Sequence, residues 1–337
     1  MGYGGIRRIA RRCGEELRAT CEIARLTSWP EAANTFRAKL DIQAMNRNGF
    51  QEPTEVRDRL LRKHATVMNY LEARYGKWAD SYDYSAVKVA NGASPLSGKV
   101  WVCWWQGLER APELVRSCVK SIEAHAGDHE VVVITDDNLA DYVEFPGWLM
   151  DKHRAGVVTR TNLSDLLRLS LLAEYGGLWL DSTFLCVRDL EEIVFSTPFF
   201  SIKRPDYGHC SVACGYFAGY SYACDDDMRW MFRVFKDFFL HYWETNDFMV
   251  DYLLVDYVVA FVQSHCPEIA EAFAAIEPNN PRCDDLFCML GEPYDETTWE
   301  ALQAETSLFK LSWKHGFPTE RDGRDTFYGK VLKGELV

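Results

Sequence analysis

The chain has 337 residues, 47% of them hydrophobic and 26% charged, enough for a full core and long for one average domain. A net charge of -13 at pH 7 argues against a nucleic-acid duplex as the main partner, because phosphate binding needs a basic surface. The longest strongly apolar stretch, Phe248 to Val262, contains Asp251 and Asp256 and is too short and too charged to span a bilayer.

The opening residues lack the apolar run of a secretion signal, and Ile6 stands where a myristoylation signal needs Ser or Thr, so the cytosol is the expected compartment. Eleven cysteines scattered through so long a chain read as reduced thiols. His209, Cys210 and Cys214, or Cys283 and Cys288, are the alternative zinc ligands, but no C-x-x-C pair accompanies them.

Charge and periodicity set the first part of the chain apart. Residues 1 to 75 hold 14 Lys and Arg against 9 Asp and Glu, although the whole chain is acidic. From Ile6 to Ala24 apolar residues recur every three or four positions while Arg7, Arg8, Arg11 and Arg12 turn elsewhere, which predicts a basic amphipathic helix. A helix of this kind binds anionic membrane or covers a core. A second helix is expected after Pro53 and Thr54. Residues 1–78 therefore read as a helical region, 79–98 as a linker rich in Ala, Gly, Ser and Pro toward its end, and 99–337 as the main domain.

Beyond the linker, strand and helix patterns alternate: Val100 to Trp105 extended, Glu113 to His125 helical, Glu130 to Thr135 extended, Asn162 to Glu174 helical. Gly176 and Gly177 stop that last helix, and Leu178 to Val187 is the next strand. Helices follow at about Asp226 to Tyr242 and Phe248 to Ser264. The alternation predicts an α/β fold with a mostly parallel sheet.

The informative segment is Ser164-Asp165-Leu166-Leu167-Arg168, followed by Tyr175-Gly176-Gly177 and then Asp181-Ser182-Thr183. Asp165 and Arg168, three apart, share a helix face. The helix descends ~9 Å from Arg168 to its end, and the strand climbs ~13 Å from Gly177 to Asp181, which returns all three charges to one sheet edge. That edge is the carboxyl end of a parallel strand, where open α/β sheets bind ligands. A carboxylate interrupting an apolar strand needs a compensating cation or donors, and a divalent metal held with a substrate's phosphates is one such cation. A satisfied internal ion pair among Asp165, Arg168 and Asp181 is the alternative.

At these residues the sequence resembles the capsular polysaccharide synthesis family, grouped with sugar transferases of the Rossmann-like GT-A fold that include yeast initiating mannosyltransferases and clostridial glucosylating toxins. The shared pattern is S-D-x-x-R, six residues, Y-G-G, three residues, D. Val100 to Gly107 with Ala111 and Pro112, EVVVITDDN, and the closing FKLSWKH of Phe309 to His315 also match, so the resemblance covers about residues 97 to 332. It implies a bacterial glycosyltransferase that takes a nucleotide-sugar donor, in the first place a UDP-sugar, and passes the sugar with retention to a surface glycan or lipid-linked oligosaccharide.

It also implies that Trp105, Gln106, Asp165 and Arg168 contact the donor and that Asp181 begins a motif for Mn²⁺ or Mg²⁺. Where many GT-A enzymes have Asp-x-Asp, this chain has Asp181-Ser182-Thr183, so a hydroxyl replaces the second carboxylate. His315 is the candidate third metal ligand beside Asp181 and Thr183, while Lys314 and Trp313 are candidates to meet the diphosphate. Asp181, Arg168 and Asp256 are the candidate catalytic side chains, with Asp256 either facing the acceptor or, like Asp251, held in an ion pair at a helix edge. Asp225, Asp226 and Asp227 read as a helix cap. A haloacid dehalogenase-type phosphatase also places an Asp at a strand end, but needs a second Asp where Thr183 stands. A non-catalytic nucleotide-sugar or glycan binder is the other competing class.

Overall fold

The computed structural model describes residues 3–47, 52–89, 92, 94 and 96–336, with side chains from residue 14 onward except 46 and 47. The chain opens with α1 (Tyr3–Leu26), α2 (Trp29–Arg47), α3 (Thr54–Ser81) and α4 (Tyr84–Val89). Pro53 precedes α3 in an extended conformation, as the sequence signal requires. Helix α1 matches expectation in its backbone; the side chains of Arg7, Arg8, Arg11 and Arg12, on which a membrane contact rests, lie outside the described residues. Among the described residues no helix is long and apolar enough to cross a membrane.

The α/β part follows as β1 (Val100–Cys103), α5 (Glu113–His125), β2 (Val131–Ile134), α6 (Gly147–Arg154), α7 (Arg160–Tyr175), β3 (Gly177–Leu180), β4 (Phe184–Cys186), β5 (Phe199–Ser201), β6 (Ser221–Cys224), α8 (Arg229–Thr245), α9 (Leu254–His265) and α10 (Pro267–Ala274). The chain closes with α11 (Asp285–Met289), α12 (Glu296–Glu305), β7 (Leu308–Lys310), β8 (Glu320–Arg321), β9 (Arg324–Asp325) and α13 (Phe327–Lys333).

The main sheet has the order β2-β1-β3-β6-β5. Strands β2 and β3 flank β1 in parallel, whereas β6 runs against both β3 and β5, so one strand opposes the other four. Both faces are covered. Trp101, Trp179, Ile134 and Tyr222 join a cluster with α7, α8 and α9; Val100, Val102, Leu178 and Leu180 point the other way, toward Val119 and Ile122 of α5.

Two expectations are corrected. Leu178 to Val187 is not one strand: it breaks at Asp181, whose N–H bonds Tyr220 O at 3.1 Å and whose carbonyl accepts from Phe184 in a turn, and β4 then leaves for a separate pairing with β7. The helix expected from Phe248 begins only at Leu254, so Asp251 lies before it and Asp256 in its first turn. Every described cysteine is free, and His209 Nδ1 meets Glu52 at 2.7 Å.

The first three helices share the larger core. Ala19, Ile23, Ala32, Val67, Tyr70 and Tyr75 lie in the same hydrophobic cluster as Phe238, Tyr242 and Val258. Within this contact Lys63 Nζ pairs with Asp251 Oδ2 at 2.9 Å, with side chains 1% and 3% exposed. Burial pushes the Asp251 carboxyl up, but Lys63 and Lys39 outweigh it and hold the group below its ordinary value.

Beside this pair, His64 Nε2 lies 2.9 Å from the His209 carbonyl and Nδ1 lies 2.6 Å from Tyr257 Oη. A carbonyl only accepts, so Nε2 carries the proton and Nδ1 accepts from the tyrosine. Burial first, then the Lys63 charge, lowers the His64 pKa to about 4. The unfolded chain therefore binds this proton first as pH falls below the ordinary value of 6.5, and stability drops until the folded group protonates as well. We expect wild type to lose about 3 kcal/mol relative to His64→Gln between pH 6.5 and pH 4, measured by denaturant titration. Parallel pH profiles for the two proteins would show that His64 is not held neutral.

Candidate active site

The parallel strand order places a topological switch point between β1 and β3: the connection through α5 leads to β2 on one side, and that through α7 leads to β3 on the other. The chain entering α7 is fixed by a capping box in which Thr159 and Asn162 satisfy each other's backbone N–H groups. The helix ends at Gly176, and Gly177 has φ 85°; a Cβ there would collide with the Lys99 carbonyl oxygen. This glycine pair lets β3 start beside β1 at once, so its far end returns Asp181 to the level of the first turns of α7.

Asp165, Arg168 and Asp181 meet there. Arg168 Nη2 donates to Asp165 Oδ1 at 2.9 Å and stands 3.9 Å from Asp181 Oδ1; its Nη1 donates to the Gly219 carbonyl. Trp179 Nε1 donates to Asp181 Oδ1 at 3.1 Å, and the guanidinium lies 5.5 Å from the Trp179 ring centroid. Asp256 joins from α9, where its Oδ2 accepts from Ser211 Oγ at 2.6 Å. It borders Gly219 beside Arg168: a Cβ on that glycine would lie 2.8 Å from Asp256 Oδ1 and 3.1 Å from Arg168 Nη1.

A further participant is one that sequence reasoning passes over. Lys310 Nζ donates to Asp181 Oδ2 at 2.8 Å and to Thr183 Oγ1 at 2.9 Å. Strand β7 delivers it by pairing antiparallel with β4, which sets Lys310 opposite Phe184. Its signal is present in the sequence: a lysine interrupts the apolar run Leu308 to Leu311, just as Asp181 interrupts its own.

Electrostatically the cluster divides. Burial, with Asp256 and Asp181 adding to it, pushes the Asp165 carboxyl up to about 7 against the pull of Arg168. Burial also raises Asp256, while at Asp181 it is outweighed by Lys310 and then Arg168, which hold that carboxyl below its ordinary value. Asp181 is therefore the firmly ionised member, and its side chain is also the one left most open, 31% exposed against 10% for Asp165.

The remaining candidates separate. Trp105 is mostly buried and donates from Nε1 to Ser164 Oγ at 2.8 Å, with Arg160 over its ring, whereas Gln106 is exposed. Neighbouring Trp104, not singled out from sequence, keeps a buried Nε1 without a partner and meets Trp313 edge-on at 5.6 Å, so the closing segment does reach the end of β1. Lys314 is exposed, and its backbone N–H bonds Ser312. His315 is exposed with its ring against Phe287 at 5.4 Å.

A divalent metal does not fit this donor set as arranged. The Lys310 ammonium lies between the two side chains, Asp181 and Thr183, that would have to share the ion, and His315 pairs with no carboxylate among the described residues. Among those residues no group of three His, Cys, Asp or Glu side chains is placed to hold a metal.

The site is thus a cluster of alternating charges at the switch point of an α/β sheet. The chain belongs to the capsular polysaccharide synthesis protein family, whose sequence profile matches residues 47–331. It is also similar to an O-glycosyltransferase, PaGT, of Phomopsis amygdali, at 26% identity over 43% of this chain and 38% of that protein. The chain therefore spans less than two fifths of that relative's length. No solved structure matches it at a significant level.

Proposed function

We propose that the protein is a glycosyltransferase that moves a sugar from a nucleoside diphosphate sugar, in the first place a UDP-sugar, to a hydroxyl of a surface glycan or lipid-linked oligosaccharide. The observation that carries the reading is the convergence of Asp165, Arg168, Asp181 and Lys310 at the carboxyl ends of β1 and β3. Buried carboxylates beside a guanidinium can bind the hydroxyls of ribose and sugar, and the two cations can meet phosphate oxygens. Membership of a family named for capsule synthesis and likeness to an O-glycosyltransferase support the same chemistry. Retention of anomeric configuration, a GT-A fold and action at the cytosolic membrane face belong to the same proposal.

The test is a thermal-shift screen followed by a mass-shift assay of transfer. UDP or GDP should raise the melting temperature, by mass action, while CMP, which has no diphosphate, should not. Stabilisation by CMP alone, or by none of the three, together with no transfer from UDP- or GDP-sugars, would sink the proposal. Arg168→Ala and Asp165→Ala should each weaken binding of the stabilising nucleotide roughly tenfold in calorimetry, the scale of a lost charge-assisted hydrogen bond. Unchanged affinity with a large fall in melting temperature would make the pair a purely internal one.

A further inference from the structure

Lys310 stands at the point where the resemblance calls for a metal. It is not a loose surface lysine. Its backbone N–H donates to Cys283 O at 2.8 Å, the next residue's N–H donates to Thr183 O at 2.9 Å, and Phe309 and Phe184 beside it are fully buried. The ammonium lies 5.2 and 5.4 Å from the ring centroids of Phe184 and Tyr220, within reach of a cation–π contact. Two oxygen acceptors fix the ammonium, yet the side chain stays 20% exposed, so it is held in place and still open to an anion.

We infer that Lys310 is the cation this chain brings to the leaving diphosphate in place of a divalent metal, with Asp181 and Thr183 serving to aim the ammonium. The inference rests on the transferase reading above. In the transfer, the bond from sugar C1 to the diphosphate oxygen breaks and its electron pair stays on that oxygen. The acceptor oxygen bonds C1, and the acceptor's hydroxyl proton passes to the departing diphosphate. Lys310 exchanges no proton; it stabilises charge growing on the phosphate, as a compact ammonium does at short range. Arg168, whose reach is taken up by Asp165 and the Gly219 carbonyl, is less free to do so.

The experiment measures binding of UDP and GDP, each against its nucleoside, by calorimetry with and without EDTA, in wild type, Lys310→Ala and Lys310→Arg, beside transfer assays under the same conditions. Wild type should bind the diphosphate and transfer sugar equally well in EDTA. Lys310→Ala should lose roughly tenfold or more in diphosphate affinity while its nucleoside affinity stays level, with Lys310→Arg in between. A merely structural lysine would weaken nucleoside and diphosphate together, and that result would overturn the inference. So would loss of diphosphate binding in EDTA that Mn²⁺ restores, with Lys310→Ala behaving as wild type. If neither nucleotide nor nucleoside binds any form of the protein, the transferase reading itself fails and the inference falls with it; nucleoside binding without a Lys310 effect removes the inference alone.

Discussion

Asp181→Asn is expected to abolish transfer, with donor-saturated turnover falling about 100-fold or more, while the melting temperature stays close to that of wild type. The substitution changes one charge and almost no volume at a side chain that is 31% exposed, so the fold has little to lose. What it loses is the anion that positions three groups at once: Lys310 Nζ, Trp179 Nε1 and, at 3.9 Å, Arg168. Misplacing a charge by about 1 Å is enough for such a rate loss. Diphosphate affinity should hold or rise, because the nucleotide no longer competes with a carboxylate for the two cations. Wild-type turnover in this variant at saturating donor would remove Asp181 from the chemistry.

Lys63→Ala should destabilise the protein by about 3–5 kcal/mol, because it leaves the Asp251 carboxylate buried without the cation that contacts it, Lys39 acting only from farther off. Replacing both partners, as Lys63→Met with Asp251→Leu, should recover most of that loss, since an apolar pair has no ion to desolvate. Denaturant midpoints at constant slope give both numbers. A single-variant loss under about 1 kcal/mol would show that water reaches the carboxylate and that the pair is not a buried one.

Much of the site can be read from the chain because its logic is local. Asp165 and Arg168 stand three positions apart on one helix turn, two glycines end that helix, and four strand residues return the chain to Asp181; each step follows from backbone geometry. The break after Asp181 cannot be read this way. The run from Leu178 to Val187 is apolar on both sides of Asp181-Ser182-Thr183, as a single strand with one inserted charge would be, and what divides it is the pairing of β4 with a strand more than a hundred residues later. Lys310 escapes a local reading for the same reason, since its partners are set by that pairing. Helix α2 gives no clear pattern because its buried face is built from Ala32, Thr35, Ala38 and Met45, residues too small or too polar to mark an apolar stripe. Asp251 and Asp256 fall within a single expected helix, whereas the late start of α9 sends one to Lys63 and the other to Arg168's neighbourhood.

The ion pair between α3 and Asp251 also bears on how such a chain can be rearranged over generations. Helices that only rest on a domain can be exchanged between relatives as a cassette. Here a recombination that brought in new opening helices without a lysine at position 63 would strand a buried carboxylate, and one that kept the helices but altered position 251 would strand the lysine against the Tyr257 ring. Positions 63 and 251 should therefore change together or not at all, which ties the inheritance of the opening helices to that of the loop leading into α9.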